Sequence, residues 1–409
     1  MQPMIVSKEK QPDSVSKDLP HLSGDVARQA DRDDFDRDVW SIFGMPVDLA
    51  TAPEAVQAIE TAVRDRQPLS FVTPNVNFLV RCLRDSTARR EIINADLSLI
   101  DGAPLVALGR LAGVPIRERC AGSDVFNALR LRPGFPGRRL KVFFFGGREG
   151  AAQAAAEAVN KEARGVEAVG FLNPGNGDVA SMSDDETIAA VNAAGADFVL
   201  VALGAAKGQR WIDVNRGRLN APVVAHLGAV VDFTAGTIAR APRWISRCGL
   251  EWAWRIKEEP TLWRRYWDDG VALARLLVQF GPAALLTRGE AQAPAQCRRE
   301  RTRGETLLEL SGDLTVAGRD LIRKEFRAAS RETGDVVLDL SGANGLDASF
   351  LGLVLMLEKA VAARGAGLRM TGLSARHRRI LAAHAMHYPE KAVLGDEIDR
   401  DRDSFAAAV

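Results

Sequence analysis

Three clusters of polar side chains each lie at the end of an apolar run or just before a helical pattern in the first half of this 409-residue chain. In chain order they are Thr73, Asn75 and Asn77; Asp101 with Gly102; and Arg119, Gly122, Ser123 and Asp124. In an open parallel sheet, ligands bind outside the carboxyl ends of the strands. These residues are therefore candidates for one binding site. For any single cluster a structural role stays open, because Thr-Pro-Asn is a common helix start and Asp-Gly a common turn.

Asp101 is the best candidate for a general base. It is a carboxylate at a predicted strand end, beside a glycine that lets a ligand approach, and it could take the proton from an acceptor hydroxyl. The chain has no GxSxG motif and no Ser/His/Asp order suited to nucleophilic catalysis. His226 stands alone at a predicted strand end, and we interpret it as structural.

Gly146 and Gly147 follow the apolar run 140–145 and open a helical pattern. Backbone amides at such a place can hold a phosphate, but the two glycines could equally serve only a tight turn. Gly204 and Lys207 occupy the equivalent place after the run 197–203. Nucleotide binding is therefore retained as a prediction. A dinucleotide oxidoreductase is a weak alternative, because GxGxxG is incomplete and no Walker motif is present.

The elements that must position these residues alternate between apolar strands and helical patterns from residue 69 to residue 226. This alternation predicts an α/β domain with a doubly wound, mostly parallel sheet. Within residues 232–287, tryptophans and arginines are interleaved, which predicts a helical appendage. Arg suits phosphate or carboxylate and Trp suits a ring face or a bilayer interface. The alternative is a helix that packs its tryptophans on the domain and keeps its arginines in water.

Composition limits the remaining functions. The net charge of +1 argues against nucleic acid as a partner. The cysteines show no CxxC spacing and indicate reduced thiols in a cytosolic protein, and we expect neither a signal peptide nor a membrane span. We also expect no metal, because the Asp-x-Asp within residues 31–36 lies in a polar stretch, 1–38, predicted to be a disordered tail.

The motif order TPNxN, ADLxxxDG, RxxGSD, FFFGG, VALGAxK, GxxxDFxAGxxxRAPxW, GLEWxxR and RRY, over about Val39–Tyr266, resembles the WecG/TagA/CpsF glycosyltransferase family. The resemblance implies an inverting, metal-independent enzyme without a cofactor. Such enzymes move a sugar from a UDP-sugar to a polyprenyl-pyrophosphate-linked acceptor at the inner face of the cytoplasmic membrane, as in surface polysaccharide or exopolysaccharide synthesis. We therefore expect a cytoplasmic, peripheral membrane protein with a transferase domain over residues 39–287.

The resemblance also implies roles for individual residues. Asp101 is the expected base, with Thr73 and Asn75 beside it in the active site. The expected substrate-binding residues lie in the same motifs and in the appendage, where arginines would touch membrane and pyrophosphate. They are Asn77, Arg119, Gly122, Ser123, Asp124, Gly146, Gly147, Gly204, Lys207, Gln209, Arg255, Arg264 and Arg265.

One loop departs from the family. The family usually reads GxPKQE before the Trp, whereas this chain has Ala206, Gly208 and Gln209 in place of Pro, Gln and Glu. If this loop holds the nucleotide, the lost amide and carboxylate would weaken UDP binding or change the donor. The alternative function is therefore a degenerate, catalytically weak transferase that acts as a nucleotide-sugar-binding scaffold or regulator.

The C-terminal residues carry a second resemblance. Residues 288–304 are polar and Ala/Pro/Arg-rich and predict a linker, and residues 305–409 predict a compact unit. Within it, 336–342 and 345–352 resemble a STAS domain, a small α/β fold of anti-sigma-factor antagonists in which a hydroxyl at a helix start can be phosphorylated. Asp347 and Ser349 match that motif, while Ala348 and Phe350 depart from it. Ser349 is thus a regulatory candidate or a plain helix cap, and the domain a candidate site for a protein partner.

Overall fold

A parallel sheet forms the centre of the transferase-like half of the chain. The computed structural model describes residues 4–5, 33–134, 137–242, 244–245, 249–285, 293–302 and 304–389. Strands in the first half are β1 (Met4–Ile5), β2 (Val39–Ile42), β3 (Met45–Asp48), β4 (Leu69–Val72), β5 (Leu97–Ser98), β6 (Leu140–Gly146), β7 (Val166–Leu172), β8 (Phe198–Ala202) and β9 (Val223–His226). Seven of them form one sheet in the order β1-β7-β6-β8-β9-β4-β5, with every pairing parallel.

Helices cover the sheet and lead from strand to strand. They are α1 (Ala52–Asp65), α2 (Val76–Arg84), α3 (Ser86–Ile93), α4 (Ala103–Leu111), α5 (Gly122–Leu131), α6 (Ala151–Glu162), α7 (Asp185–Ala193), α8 (Ala205–Asn215) and α9 (Gly228–Ala235). The chain leaves β6 towards β7 on one side and leaves β8 towards β9 on the other. The carboxyl ends of β6 and β8 therefore form a topological switch point, the usual place for a ligand in such a sheet.

Burial explains why these segments become central strands. All five residues of β8 are buried, and the phenylalanines of β6 pack on both faces of the sheet, Phe144 in one apolar cluster and Phe143 and Phe145 in another. A strand covered on both faces needs an uninterrupted apolar run, which is what the sequence has at these positions. The predicted doubly wound α/β fold is confirmed.

The appendage consists of α10 (Glu251–Glu258), a 3-10 turn (Pro260–Leu262) and α11 (Trp263–Leu285). Over residues 263–278, where burial is described, only one narrow face of α11 is buried. Ala272 and Leu276 are covered, whereas Trp263, Trp267 and Val278 are exposed. Within the described ranges, no helix has the length and apolarity to cross a membrane.

The C-terminal half forms a separate small α/β domain. Its strands are β10 (Gln296–Arg301), β11 (Glu305–Leu314), β12 (Asp335–Leu346) and β13 (Leu368–Thr371), which pair in that order, with β10 antiparallel and the others parallel. Its helices are α12 (Arg319–Ser330), α13 (Ala348–Ala363) and α14 (Ala375–Ala383). β10 begins inside the stretch predicted as a linker, so the domain starts earlier than the expected boundary. Residues 390–409 lie outside the described residues.

A β-hairpin joins the two halves. Strands β2 and β3 pair with each other in a separate two-stranded sheet, and their turn places both Phe43 and Gly44 at positive φ, the geometry of a tight hairpin turn. The residues before it are ordered too: Asp34–Asp36 form a 3-10 turn with the buried Phe35 at its centre. The tail predicted over residues 1–38 therefore does not extend to residue 38, because Phe35 and four aspartates contact the C-terminal domain.

Candidate functional site

The first two predicted clusters meet at the carboxyl edge of β4 and β5. Asn75 is the N-cap of α2, and its side-chain oxygen accepts hydrogen bonds from the backbone N–H groups of Asn77 (3.0 Å) and Phe78 (3.4 Å). The Asp101 backbone N–H donates to the Pro74 carbonyl at 2.8 Å. A Cβ on Gly102 would lie 3.7 Å from the Asn75 Cβ, so the two loops lie side by side.

Asp101 has the properties of a base held ready for proton transfer. Its Oδ1 accepts the Gly102 N–H at 2.7 Å, and its side chain keeps 28% of its exposure, so a ligand can reach it. Burial raises the pKa of Asp101 to about 6; Arg119 opposes that rise, and the charges of Glu251 and Asp124 add to it. A carboxylate with this pKa is mostly ionised at neutral pH and is a stronger base than an ordinary aspartate.

Arg119 is the centre of the charged cluster. Its guanidinium lies 3.6 Å from Asp101, 3.4 Å from Asp124 and within hydrogen-bond distance of Glu251. Asp124 also pairs with Arg240, whose Nη2 lies 3.3 Å from the Ser123 hydroxyl. The third predicted cluster is therefore joined to the first two.

Glu251 and Arg240 were not among the predicted site residues. Glu251 is the first residue of α10, and Arg240 lies between α9 and α10, so both reach the cluster from the region after the sheet. The available signal was their position in the GLEWxxR and RAPxW motifs, which are part of the family resemblance. Their contacts bring the appendage to the candidate base.

Gly122 lets α5 approach β4 closely. A Cβ at this position would lie 2.3 Å from the Leu227 side chain and 3.3 Å from the Thr73 hydroxyl oxygen. A larger residue here would therefore require the Leu227 side chain to move and would crowd Thr73. Gly122 thus has a packing role at the edge of the site.

The glycines at the switch point differ in whether they leave backbone amides and space available for a ligand. Gly146 and Gly147 have φ of +90° and +92°, and the Gly147 N–H donates to the Ala202 carbonyl at 2.7 Å, so this amide is already used within the fold. Gly204 has φ of +79°, and a Cβ there would meet open space. It precedes α8, which has no side-chain cap, so the first backbone N–H groups of α8 have no side-chain acceptor.

Two predicted residues of the altered loop already have partners within the fold. The Lys207 ammonium donates to the Gly177 carbonyl at 2.8 Å. Gln209 is buried, and its amide donates to the Glu91 carbonyl at 3.4 Å on the side of α3.

Gly208 packs directly against His226 at the end of β9. A Cβ on Gly208 would lie 2.1 Å from the His226 ring, so the imidazole fills the space of a side chain at residue 208. Burial lowers the pKa of His226 to about 4, and the charge of Arg81 adds to this effect. The ring is therefore neutral at physiological pH.

The appendage arginines are not gathered around Asp101. Arg255 pairs with Glu259 at 2.8 Å, and Glu259 also pairs with Arg148 beside the Gly146–Gly147 turn. Arg264 and Arg265 lie on the exposed side of α11, over the rings of Trp263 and Tyr266. Asn77 is placed differently from Asn75, since its amide donates to the buried Asp269 of α11 at 3.0 Å.

Ser349 lies at the start of α13, where its hydroxyl is not accessible to solvent. It is buried, and its hydroxyl donates to Asp347 Oδ1 at 2.6 Å, where Asp347 is the N-cap of α13. Phosphorylation of Ser349 stays a prediction. In this conformation the hydroxyl serves the helix cap.

No metal-ligating cluster is found among the described residues. The Asp-x-Asp of residues 34–36 pairs with arginine and lysine side chains instead: Asp34 with Arg37 and Lys359, and Asp36 with Arg327.

Comparison with known proteins identifies both halves. The model of the Glycosyl transferase WecG/TagA/CpsF family matches residues 40–283, and that of the Mlab, STAS domain matches residues 297–388. This chain therefore belongs to the WecG/TagA/CpsF glycosyltransferase family and carries a C-terminal STAS domain.

Curated relatives of this family are enzymes. The chain is 28% identical over 211 residues to the N-acetylglucosaminyldiphosphoundecaprenol N-acetyl-β-D-mannosaminyltransferase of Bacillus spizizenii, a match that covers 51% of this chain and 79% of the relative. It is also 28% identical over 200 residues to the enzyme of the same name from Bacillus subtilis, covering 48% and 73%. The predicted glycosyltransferase is confirmed at this level.

Proposed function

We propose that this chain transfers a sugar from a UDP-sugar to a polyprenyl-diphosphate-linked saccharide, with inversion at the anomeric carbon and without a metal. The observation that carries the proposal is Asp101: a reachable carboxylate at the carboxyl edge of the sheet, with a pKa raised to about 6. The relatives' name, an acceptor built on diphosphoundecaprenol, supports a lipid-linked acceptor for this chain.

The chemistry follows from the geometry around Asp101. The acceptor hydroxyl attacks the anomeric carbon of the donor, its oxygen forms the new glycosidic bond, and the bond between that carbon and the UDP oxygen breaks. The hydroxyl proton passes to Asp101, where Oδ1 is held by the Gly102 N–H and Oδ2 is left for the proton. General-base catalysis of this kind is worth about 10²–10⁴ in rate. Thr73 and Asn75 border the same space and orient the sugars.

The donor diphosphate belongs at the switch point, by the start of α8. The open space at Gly204 and the uncapped amides of α8 form a place where a phosphate can accept backbone hydrogen bonds. The positive end of the helix dipole favours the negative charge that develops on UDP as it leaves. This arrangement supports diphosphate binding without a metal ion.

The appendage supplies a surface suited to a membrane. Trp244, Trp263 and Trp267 are 66%, 52% and 67% exposed, and Arg264 and Arg265 lie among them. Tryptophan prefers the bilayer interface, and arginine is attracted to anionic headgroups. We therefore place this face on the cytoplasmic membrane, where the lipid-linked acceptor is available for a surface polysaccharide or exopolysaccharide.

The membrane contact is tested by co-sedimentation with vesicles. Native protein is expected to bind vesicles containing an anionic phospholipid, and the double variant Trp263→Ala, Trp267→Ala to bind them several-fold more weakly. The control is Leu321→Ala, an exposed apolar residue on the STAS domain. Equal binding of all three proteins would contradict a membrane role for α11.

The transfer itself is tested with a panel of UDP-sugars and a polyprenyl-diphosphate-linked N-acetylglucosamine acceptor. We expect acceptor-dependent UDP release that falls about 10²–10⁴-fold in Asp101→Asn. Asp65→Asn, which removes an exposed carboxylate at the end of α1, is the matched control and retains full activity. Full activity in Asp101→Asn would remove Asp101 from the mechanism.

The loop at 204–210 supports a second candidate function, that of a scaffold which binds UDP-sugar. Gln209 faces α3, and Gly208 gives up its side-chain space to His226, so neither supplies a side chain to the open space at Gly204. A scaffold that binds UDP-sugar without transferring it would fit this loop. Saturable UDP binding by calorimetry, with no transfer from any donor, would favour the scaffold over the enzyme.

A further inference from the structure

The STAS domain packs tightly against the hairpin of the transferase domain. Gly352, in the second turn of α13, approaches β2 so closely that a Cβ there would lie 2.2 Å from the Val39 carbonyl oxygen. The Arg319 guanidinium donates to the same carbonyl at 2.8 Å and pairs with Asp38. The contact face therefore depends on a glycine at its closest point.

Buried charges fix the arrangement of the two domains. Lys359 of α13 is 4% exposed, and its ammonium lies 2.9 Å from Asp34 and 3.5 Å from Asp96. Arg37 is also buried; it pairs with Asp34 at 2.7 Å, and its Nη1 lies 3.5 Å from the Met356 sulfur of α13. Because an unpaired buried charge is costly, these pairs favour one docked position over others.

The end of α14 contacts the hairpin turn between β2 and β3. The His384 ring stacks on Phe43, and its Nδ1 lies 3.1 Å from the Ser41 hydroxyl and accepts from the Gly44 N–H at 3.2 Å. Arg89 of α3 donates to the Ala385 carbonyl. The turn and α3 thus both contact the STAS domain.

The same domain reaches the appendage. Helix α11 packs against α2 on one side and α14 on the other. Leu276 of α11 belongs to one buried apolar cluster together with Ala383 and Ala385 of the STAS domain and Leu79 of α2. About two turns earlier, Asp269 of α11 accepts the hydrogen bond from Asn77 at the start of α2. A chain of packed contacts therefore leads from the STAS domain to the helix whose N-cap is Asn75.

We propose that the STAS domain of this chain is a built-in support of the transferase, which holds α11 against α2 beside the candidate active site. Its contact helix α13 is occupied by the chain's own hairpin. Loss of docking removes one of the two surfaces between which α11 is held. The appendage then loosens, and acceptor use falls while donor binding persists.

The test uses Gly352→Leu in the full chain, followed by hydrogen exchange. Leucine cannot fit against β2, but it suits the helix itself. We expect exchange in α11 to become about tenfold faster, with β11 and β12 still protected. The control, Ala362→Leu, introduces the same residue at an exposed position of the same helix and leaves α11 exchange unchanged.

A charge swap keeps the proposal testable if Gly352→Leu disturbs the STAS fold. Arg319→Glu places like charges at Asp38 and removes the donor to the Val39 carbonyl, so it should loosen α11. The double variant Asp38→Arg, Arg319→Glu restores the ion pair but not that hydrogen bond, and it should therefore recover part of the native α11 exchange. Native α11 exchange in both undocking variants would overturn the proposal. The exchange measurement needs no substrate, so it is independent of the proposed function. If the native chain transfers no sugar but the undocking variants still loosen α11, the proposed function is rejected and the support role stands.

Transfer activity is the second readout, and it rests on the proposed function. Undocked variants are expected to lose about tenfold in acceptor kcat/KM with an unchanged donor KM. Unchanged acceptor kcat/KM in a chain with loosened α11 would show that the support does not serve catalysis and would overturn that part of the proposal.

Discussion

The charged cluster at the candidate active site and the one at the domain boundary each contain an aspartate with a shifted pKa, and the two shifts have opposite signs. At the candidate active site, Asp101, Asp124 and Glu251 share Arg119, and the pKa of Asp101 is raised to about 6. At the domain boundary, burial alone would raise the pKa of Asp34, but Lys359 and Arg37 outweigh it and hold that pKa below its ordinary value.

The difference is in how the carboxylates are matched by donors. Asp34 receives hydrogen bonds from both Arg37 and Lys359, at 2.7 and 3.0 Å. Asp101 receives one from the Gly102 amide and lies 3.6 Å from an arginine that pairs more closely with Glu251. Full pairing favours a fixed structure, whereas partial pairing leaves a carboxylate able to accept a proton.

Removal of one cation from the boundary cluster should give the largest effect on stability. Lys359→Met removes the buried cation from the half-buried Asp96 and leaves Asp34 with Arg37 alone, and we expect a loss of about 3 kcal/mol in the free energy of unfolding, measured by urea titration. Lys324→Met removes an exposed lysine of α12 and serves as the control. Equal stability of the two variants would mean that the boundary charges do not hold the domains together.

Arg119→Gln should raise the pKa of Asp101 further and so increase its difference from Asp34. Arg119 is the strongest influence that lowers the pKa of Asp101, so its loss raises that pKa further above 6. A general base must be ionised, so the acid limb of the rate profile should move to higher pH and the rate at neutral pH should fall. The measurement is kcat/KM between pH 5 and 9, and a limb that moves the other way would contradict this assignment.

Glu251→Gln should produce the opposite and smaller shift. Its charge contributes less than that of Arg119 to the pKa of Asp101, and it acts to raise it. Without that charge, Arg119 can also turn towards Asp101. The acid limb should therefore move to lower pH, with the plateau rate little changed. An unmoved limb in the same assay would show that the appendage does not influence the base.

The sequence predicted the parts of the site that local pattern determines. Thr73, Asn75 and Asp101 lie at strand ends because apolar runs stop there, and their motifs are short. Glu251 reaches Arg119 across 132 positions of chain, and no local pattern reports such a pair. Gln209 was expected at the substrate and lies against α3, because helix α8 turns that residue inward.

The boundary cluster was hidden for a similar reason. Residues 33–38 are mostly charged and, taken alone, cannot form a core, which predicts disorder. They are ordered because their partners, among them Arg319, Arg327 and Lys359, lie about three hundred positions later and supply matching charges. Long-range charge matching of this kind needs the folded arrangement to be recognised.

The central claim is that Asp101 is the general base of a glycosyl transfer, and the pH dependence of kcat/KM tests it most directly. With a UDP-sugar and a lipid-linked acceptor, the native chain should gain rate as pH rises through about 6, the pKa of Asp101. The limb should vanish in Asp101→Asn, whose residual rate is low at every pH. A native rate that is flat from pH 5 to pH 8, or a variant that keeps the same limb, would contradict the account.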